Sequence, residues 1–231
     1  MDLWVCQLGR VEYREALALQ HRLRAARQAD AIPDTLLLLE HEPVYTRGRR
    51  SVEGELPLGA DWYRERGIEI VDVDRGGKVT YHGPGQLVGY PIMRIEQGAL
   101  AYVRTLEDAI VEALAEEGIA ARSRAADGLD YTGVWVEDRK IASIGVHVQR
   151  GITTHGFAVN VDADLAPFEW IVPCGLGGVR MTSIAAEAGT ADLGCFRKRM
   201  AHRFATAIGR RQRLVSSARI KSVNAPEIVS A

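Results

Sequence analysis

The chain has 231 residues, a formal net charge of −1, 47% apolar residues and 26% charged residues. That length supports one sizeable core or two small ones, and the composition is that of a globular protein in water. No apolar run approaches the roughly 18 residues of a membrane span, MDLWVCQLGR lacks the basic-then-apolar order of a secretion signal, and the balanced charge gives no global sign of nucleic-acid binding; the expected location is the cytoplasm.

The pattern alternates short strands and helices. Residues 2–8 alternate as a strand with Trp4, Cys6 and Leu8 on one face, and residues 11–27 place Ala16, Leu19, Leu23 and Ala26 at helical spacing. TLLLLE at 35–40 reads as a buried strand and HEPVYTRGRR after it as a loop. A small helix near 60–66 leads into a strand at 68–73, and QLVGYPIM (86–93) is a further strand. A helix over 100–117 offers Val103, Leu106, Ile110 and Ala113 to a core. Residues 131–137, 139–149 and 151–161 are strand-like, broken by turn-like Glu137-Asp138 and Arg150-Gly151, which predicts an antiparallel meander. IVPCGLGG (171–178) is irregular, MTSIAAEAG carries a hydroxyl cap before a short helix, and 191–209 is a last amphipathic helix. Periodicity is lost from 210 onward, which predicts a mobile tail over 210–231. The class is α+β in one domain, a mainly antiparallel sheet with helices packed on it.

The stretch RGGKVTYHGPGQ (75–86) holds four glycines around a short strand at Val79, Thr80 and Tyr81. A P-loop needs Ser or Thr after its lysine, and here Val79 follows Lys78; a dinucleotide fingerprint opens a helix, whereas this stretch runs from strand to strand. Pro84-Gly85 fits the centre of a type II turn. Glycines also admit a ligand close to the backbone, so a pocket wall accounts better for Arg75, Thr80 and His82 beside the turns. Arginine is dense in TRGRR (46–50) and FRKRMAHR (196–203), as solvated faces or as a patch for an acidic protein partner.

The cysteines, Cys6, Cys174 and Cys195, form no CxxC pair, which disfavours a disulfide framework and a cysteine zinc site. Cys174, in VPCGLGG, sits on a glycine-rich loop that suits either a bared nucleophile or a structural thiol; Cys195 lies near a helix start, off the stripe of Phe196, Met200 and Phe204. A nucleophilic thiol needs a partner that favours the thiolate. The residues leave this open between His82, His155 and Lys140, whose bland readings are structural hydrogen bonding for the histidines and a strand-end amine reaching to water for the lysine.

RGGKVTYHGPGQ, RKIASIGVHV, TTHGFAVNV and VPCGL, in this order, resemble the lipoyl(octanoyl) transferases, the octanoyl-[acyl carrier protein]:protein N-octanoyltransferases of lipoate biosynthesis. The resemblance spans residue 1 to about 209, with HEPVYTRGRR similar to the family's early loop. It implies a single catalytic domain over 1–209 with a mixed, mainly antiparallel sheet flanked by helices, as in the catalytic domain of biotin and lipoate protein ligases. It implies Cys174 as the acyl-accepting nucleophile and Lys140 as its partner. The substrate-binding stretches it implies are Arg75, Gly76, Gly77, Lys78, Val79, Thr80, Tyr81 and His82, then Ser143, Ile144 and Gly145, then Gly156, Phe157 and Ala158, with His155 supporting. The implied donor is octanoyl-acyl carrier protein, and the implied acceptors are lipoyl domains of 2-oxoacid dehydrogenase complexes and the glycine cleavage H protein, with no metal and no cofactor. Arg47, Arg49 and Arg50 are candidates for meeting the acidic carrier. The rivals are an ATP-dependent lipoate or biotin ligase on the same fold, a carrier-binding relative without activity, and a cysteine hydrolase using His82 or His155.

Overall fold

The computed structural model describes residues 1–172 and 179–224. Strand β1 (Asp2–Val11) alternates Leu3 and Val5 to one face against Trp4 and Cys6 to the other, and helix α1 (Tyr13–Gln28) starts where the Glu12 carboxylate accepts from the Arg14 and Glu15 amides. The apolar run becomes β2 (Thr35–His41), and then β3 (Val44–Arg47) forms inside HEPVYTRGRR. That strand is a correction to the expected loop. Val44, Tyr45 and Thr46 are all buried, because β3 is the middle strand of a small sheet, so its sequence carries no alternation. Next come α2 (Ala60–Glu65), β4 (Glu69–Asp72), β5 (Thr80–His82), β6 (Gln86–Ile92) and α3 (Ala99–Ala115). The proposed type II turn before β6 is present: Gly85 has φ +79°, and the Gln86 amide donates to the Gly83 carbonyl.

Short β7 (Arg122–Ser123) precedes the meander of β8 (Val134–Val136), β9 (Arg139–Gln149) and β10 (Ile152–Asn160), whose turns carry Glu137 and Arg150 at positive φ. After α4 (Ala166–Glu169) and β11 (Arg180–Met181), Ser183 caps α5 (Ile184–Ala188) through the Ala186 amide, and α6 (Leu193–Ala207) follows. With β12 (Arg211–Leu214) at one edge, the main sheet runs β12-β1-β2-β6-β10-β9-β8-β7, with β11 beside β9; β4-β3-β5 form the small sheet. Pairing is antiparallel from β2 through β7 and parallel at β12-β1-β2 and β11-β9. α3 and α6 cover one face through Leu106, Ile110, Met200 and Phe204, and α1 covers the other through Leu19 and Leu23. The fold is mixed α+β with a mainly antiparallel sheet flanked by helices.

The stretch after 210 differs from its expectation. Arg211–Leu214 forms β12, parallel to β1 with Asp2 opposite Arg211, and α7 (Ser217–Lys221) buries Ile220 beside α1 and β1. An edge strand with largely exposed side chains needs no apolar alternation, which is why β12 left no periodic signal. The basic stretch in α6 is engaged as well: Arg199 pairs with Glu116 and Glu117, and Arg203 with Glu112 and Glu116, across the α3–α6 contact.

Candidate active site

The glycine-rich stretch lies against β9 at one point of close approach. The Gly76 amide donates to the Val146 carbonyl at 2.9 Å, and a Cβ on Gly145 would stand 2.8 Å from the Gly76 oxygen. Asp74 ties the same turn to the sheet, its carboxylate accepting from His155 Nε2 at 2.7 Å and lying 3.5 Å from His147 Nε2. Beneath this wall is a cavity of about 310 Å³, bounded by β9, β10 and the start of α3. Arg75 through Thr80, His82, Ser143–Gly145, Gly156–Ala158, Lys140 and His155 all line it. Residues from three distant parts of the sequence thus converge on one space.

Tyr81 is not in that wall. Strand alternation turns it away from Thr80 and His82, and its ring packs 5.5 Å from both Tyr45 and Phe168 in a separate apolar cluster. Cys174 lies in VPCGLGG outside the described residues. Neither of the other thiols lines the cavity: burial pushes Cys6 up to about 11, and exposed Cys195 sits at the start of α6, where Asp192 caps its amide.

Lys140 is 2% exposed and opens β9. Its Nζ lies 5.3 Å from the centroid of the Trp135 ring, close enough for a cation–π contact. Gly133 makes the room: at φ +131° it carries no Cβ, which would otherwise stand 2.7 Å from Lys140 Cε. The buried Glu107 carboxylate holds Gly133 by accepting from its amide at 2.9 Å, and Ser123 Oγ also donates to it. The reading of Lys140 as a strand-end amine reaching to water therefore does not hold. Sequence reasoning missed Gly133 and Glu107. A glycine between Thr132 and the apolar VWV run was the available signal, since glycine in such a run marks a close approach.

The cavity also meets a polar, buried cluster. Arg75, 6% exposed, donates through Nη2 to both the carbonyl and Oγ1 of Thr46, each at 2.7 Å. Tyr13 and Tyr90 line the cavity, and the Tyr90 hydroxyl meets His41 Nε2 at 2.6 Å while His41 Nδ1 meets the Val11 carbonyl at 2.8 Å. The Val11 oxygen only accepts, so Nδ1 carries the proton and the Tyr90 hydroxyl donates to Nε2. Neither tyrosine was found from sequence, because each sits in an element, α1 or β6, that reads as ordinary core.

Burial lowers His41 to about 4 from its usual 6.5, and it lowers His82 and His155 in the same direction. Between pH 4 and 6.5 the unfolded chain binds a proton at His41 that the folded chain does not. Stability therefore rises with pH across this window and is lost as pH falls through it, by up to about 3 kcal/mol for this one group. Urea midpoints measured from pH 7 to pH 4.5 should fall steadily, and His41→Gln should flatten the slope. An unchanged slope in that variant would exclude His41 as the titrating group.

Of the three arginines expected near a carrier, Arg47 pairs with Asp72 at 2.7 Å, and Arg50 lines the cavity and pairs with Asp130 at 3.1 Å. Such exposed pairs contribute about 0–1 kcal/mol and exchange readily. Arg49 has no ion pair among the described residues, and Leu100 and Leu129 at the cavity edge are more than half exposed.

Residues 12–205 match the model of the lipoyl protein ligase A/B catalytic domain. An octanoyltransferase of Solibacter usitatus is 47% identical over 202 residues, covering 86% of this chain and 90% of its own. One of Acidobacterium capsulatum is 45% identical over 203 residues, with 81% of each chain covered. The chain belongs to the octanoyltransferase family. Among solved structures, a lipoate protein ligase of T. acidophilum with bound lipoic acid superposes with a TM-score of 0.77 at 17% identity, covering 96% of this chain and 92% of its own. Biotin protein ligase of Aquifex aeolicus superposes at 0.51 and 13% identity, covering 90% and 69%. At these identities the likeness is one of fold, and it is the fold implied by the sequence motifs. Among the described residues of this octanoyltransferase-family chain, no group of three or more His, Cys, Asp or Glu side chains is arranged to hold a metal ion, and no helix is long and apolar enough to cross a membrane.

Proposed function

We propose that this protein transfers an octanoyl group from octanoyl-acyl carrier protein to the ε-amine of a lysine on an apo lipoyl domain, through a thioester on Cys174. The observation that carries the reading is a buried lysine, Lys140, in the wall of a cavity that also presents glycine backbone and apolar side chains such as Val79, Ile144 and Phe157, beside the polar Arg75, His82 and His155. The Cys174 thiolate attacks the donor thioester carbonyl; the carrier's thiolate leaves and takes up the proton that Cys174 gave to Lys140. In the second half, the acceptor amine attacks the octanoyl-enzyme carbonyl. A C–N bond forms, the C–S bond breaks, and the amine's proton passes through Lys140 to the Cys174 sulfur.

A thioester donor carries its own activation, so the reaction needs no ATP, whereas an adenylating ligase on this fold does. Full burial of the six octanoyl methylenes contributes up to about 5 kcal/mol, at ~0.8 kcal/mol each, which suffices to discriminate chain length. Arg49, Arg50 and the exposed Leu100 and Leu129 beside the cavity suit an acidic carrier that delivers its acyl group there. Lipoyl domains of 2-oxoacid dehydrogenase complexes and the glycine cleavage H protein are the acceptors this reading implies.

Intact mass spectrometry after mixing with octanoyl-acyl carrier protein tests the reading. One octanoyl adduct is expected, lost in Cys174→Ser and retained in Cys195→Ser. An adduct that persists without Cys174 refutes the assignment, and free octanoate as the main product would indicate a hydrolase instead.

A further inference from the structure

His82 is the member of the cavity wall whose protonation geometry is set by a hydrogen-bond chain. Its Nδ1 lies 2.7 Å from Gln86 Oε1, Gln86 Nε2 donates to Asn160 Oδ1 at 2.9 Å, and Asn160 Nδ2 donates to the Thr182 carbonyl at 2.9 Å. The direction of this chain is fixed at two points by groups that only accept. The Thr182 carbonyl turns the Asn160 amide nitrogen toward itself, leaving Asn160 Oδ1 as an acceptor. The Tyr81 carbonyl, 3.4 Å from Gln86 Nε2, turns the Gln86 nitrogen the same way as Asn160 does. Gln86 Oε1 is therefore an acceptor, and the hydrogen between it and His82 belongs to Nδ1. Burial disfavours the imidazolium, so Nε2 is left as a bare lone pair.

Nε2 has no hydrogen-bond partner among the described residues, although the ring lines the cavity. The ring is held in place, nearly parallel to Tyr13 (centroids 6.1 Å apart, planes 13° apart) and edge-on to His41 at 5.8 Å. The chain also reaches Lys140: the Thr182 amide donates to the Lys140 carbonyl at 3.0 Å. One hydrogen-bonded frame thus fixes the bare nitrogen and the strand that bears the buried lysine.

A bare acceptor in this cavity discriminates between the two partners of the reaction. The thioester group offers a carbonyl, which is itself an acceptor and gains nothing from Nε2. A neutral amine nucleophile offers N–H groups. We propose that His82 Nε2 accepts a hydrogen bond from the incoming lysine amine, aiming its lone pair at the octanoyl-enzyme carbonyl, with Gln86 and Asn160 as positioning residues that hold the required tautomer. This rests on the acyl-enzyme reading above. His82 gains no proton in the step: the amine nitrogen bonds to carbon, the C–S bond breaks, and the departing proton goes by Lys140 to sulfur.

The test separates the half-reactions. The octanoyl adduct on the wild-type enzyme is the control for the underlying reading; if it does not form on Cys174, that reading fails whatever His82 does. In single turnovers, His82→Phe and Gln86→Leu should lower the rate of transfer to a lipoyl domain relative to the rate of acyl loading by about tenfold or more, the scale of a misaligned nucleophile. Proportional loss of both steps or an unchanged ratio overturns the proposal. Nitrogen-15 NMR of the histidines in the wild-type protein reads the tautomer without any substitution. His82 is expected to carry its proton on Nδ1, and a proton on Nε2 also overturns the proposal.

Discussion

Lys140→Met is expected to lower octanoyl transfer by roughly 10²–10⁴-fold, the range for removing a positioned group that moves protons, while the protein stays folded. Methionine matches the lysine stem in length and flexibility, so the space bounded by Gly133, Trp135 and β9 remains filled. Its thioether takes no proton, so both half-reactions should slow: formation of the octanoyl-enzyme for want of a group that draws the proton from Cys174, and aminolysis for want of one that draws it from the amine. Rapid-quench measurement of loading and transfer, beside a thermal melt, checks this. A variant that loads at the wild-type rate would remove Lys140 from the first half-reaction. Loss of the cooperative melt would make it a core residue rather than a proton carrier.

Gly156→Ala should damage both the fold and the site. A Cβ at Gly156 would stand 2.2 Å from the Gly89 carbonyl oxygen and 2.6 Å from Pro91 Cδ, both on the neighbouring strand β6. Backbone cannot swing aside as a flexible side chain does, so β6 and β10 must part at the registers Phe157–Gly89 and Ala158–Val88. Overpacking of this kind costs about 3 kcal/mol or more. For a chain of this size that is a Tm loss of roughly 6–12 °C. Because Gly156, Phe157 and Ala158 line the cavity, the displacement also reaches that space, and transfer should fall even well below the melting temperature. A melt within about 2 °C of wild type would mean that the sheet absorbs the methyl group, which close packing argues against.

Much of this architecture was legible as pattern. The alternation in β1, the apolar run of β2, the helical spacing in α1, α3 and α6 and the β8-β9-β10 meander all follow from side chains that face a core with a fixed period. What escaped were elements whose environment removes the period. β3 is buried on both faces, and β12 is an edge strand with largely exposed side chains, so neither alternates. Tyr81 shows the converse: it belongs to a motif by sequence, but strand geometry turns it out of the cavity that its neighbours Thr80 and His82 line.

The sequence by itself determined the family, through RGGKVTYHGPGQ, RKIASIG, TTHGFAVNV and VPCGL at their spacing, and with it the α+β fold and the backbone of the pocket wall. Glycines could be read that way because each permits a close approach that the next residue type would forbid. Only the tertiary structure decided what surrounds the reactive groups. It buried Lys140 under Trp135 and Gly133, brought Tyr13 and Tyr90 to the cavity from separate elements with His41 bonded to Tyr90, and fixed the His82 tautomer through Gln86, Asn160 and Thr182. Burial and the direction of a hydrogen bond depend on contacts between residues far apart in the chain, and no local pattern of residue types encodes them.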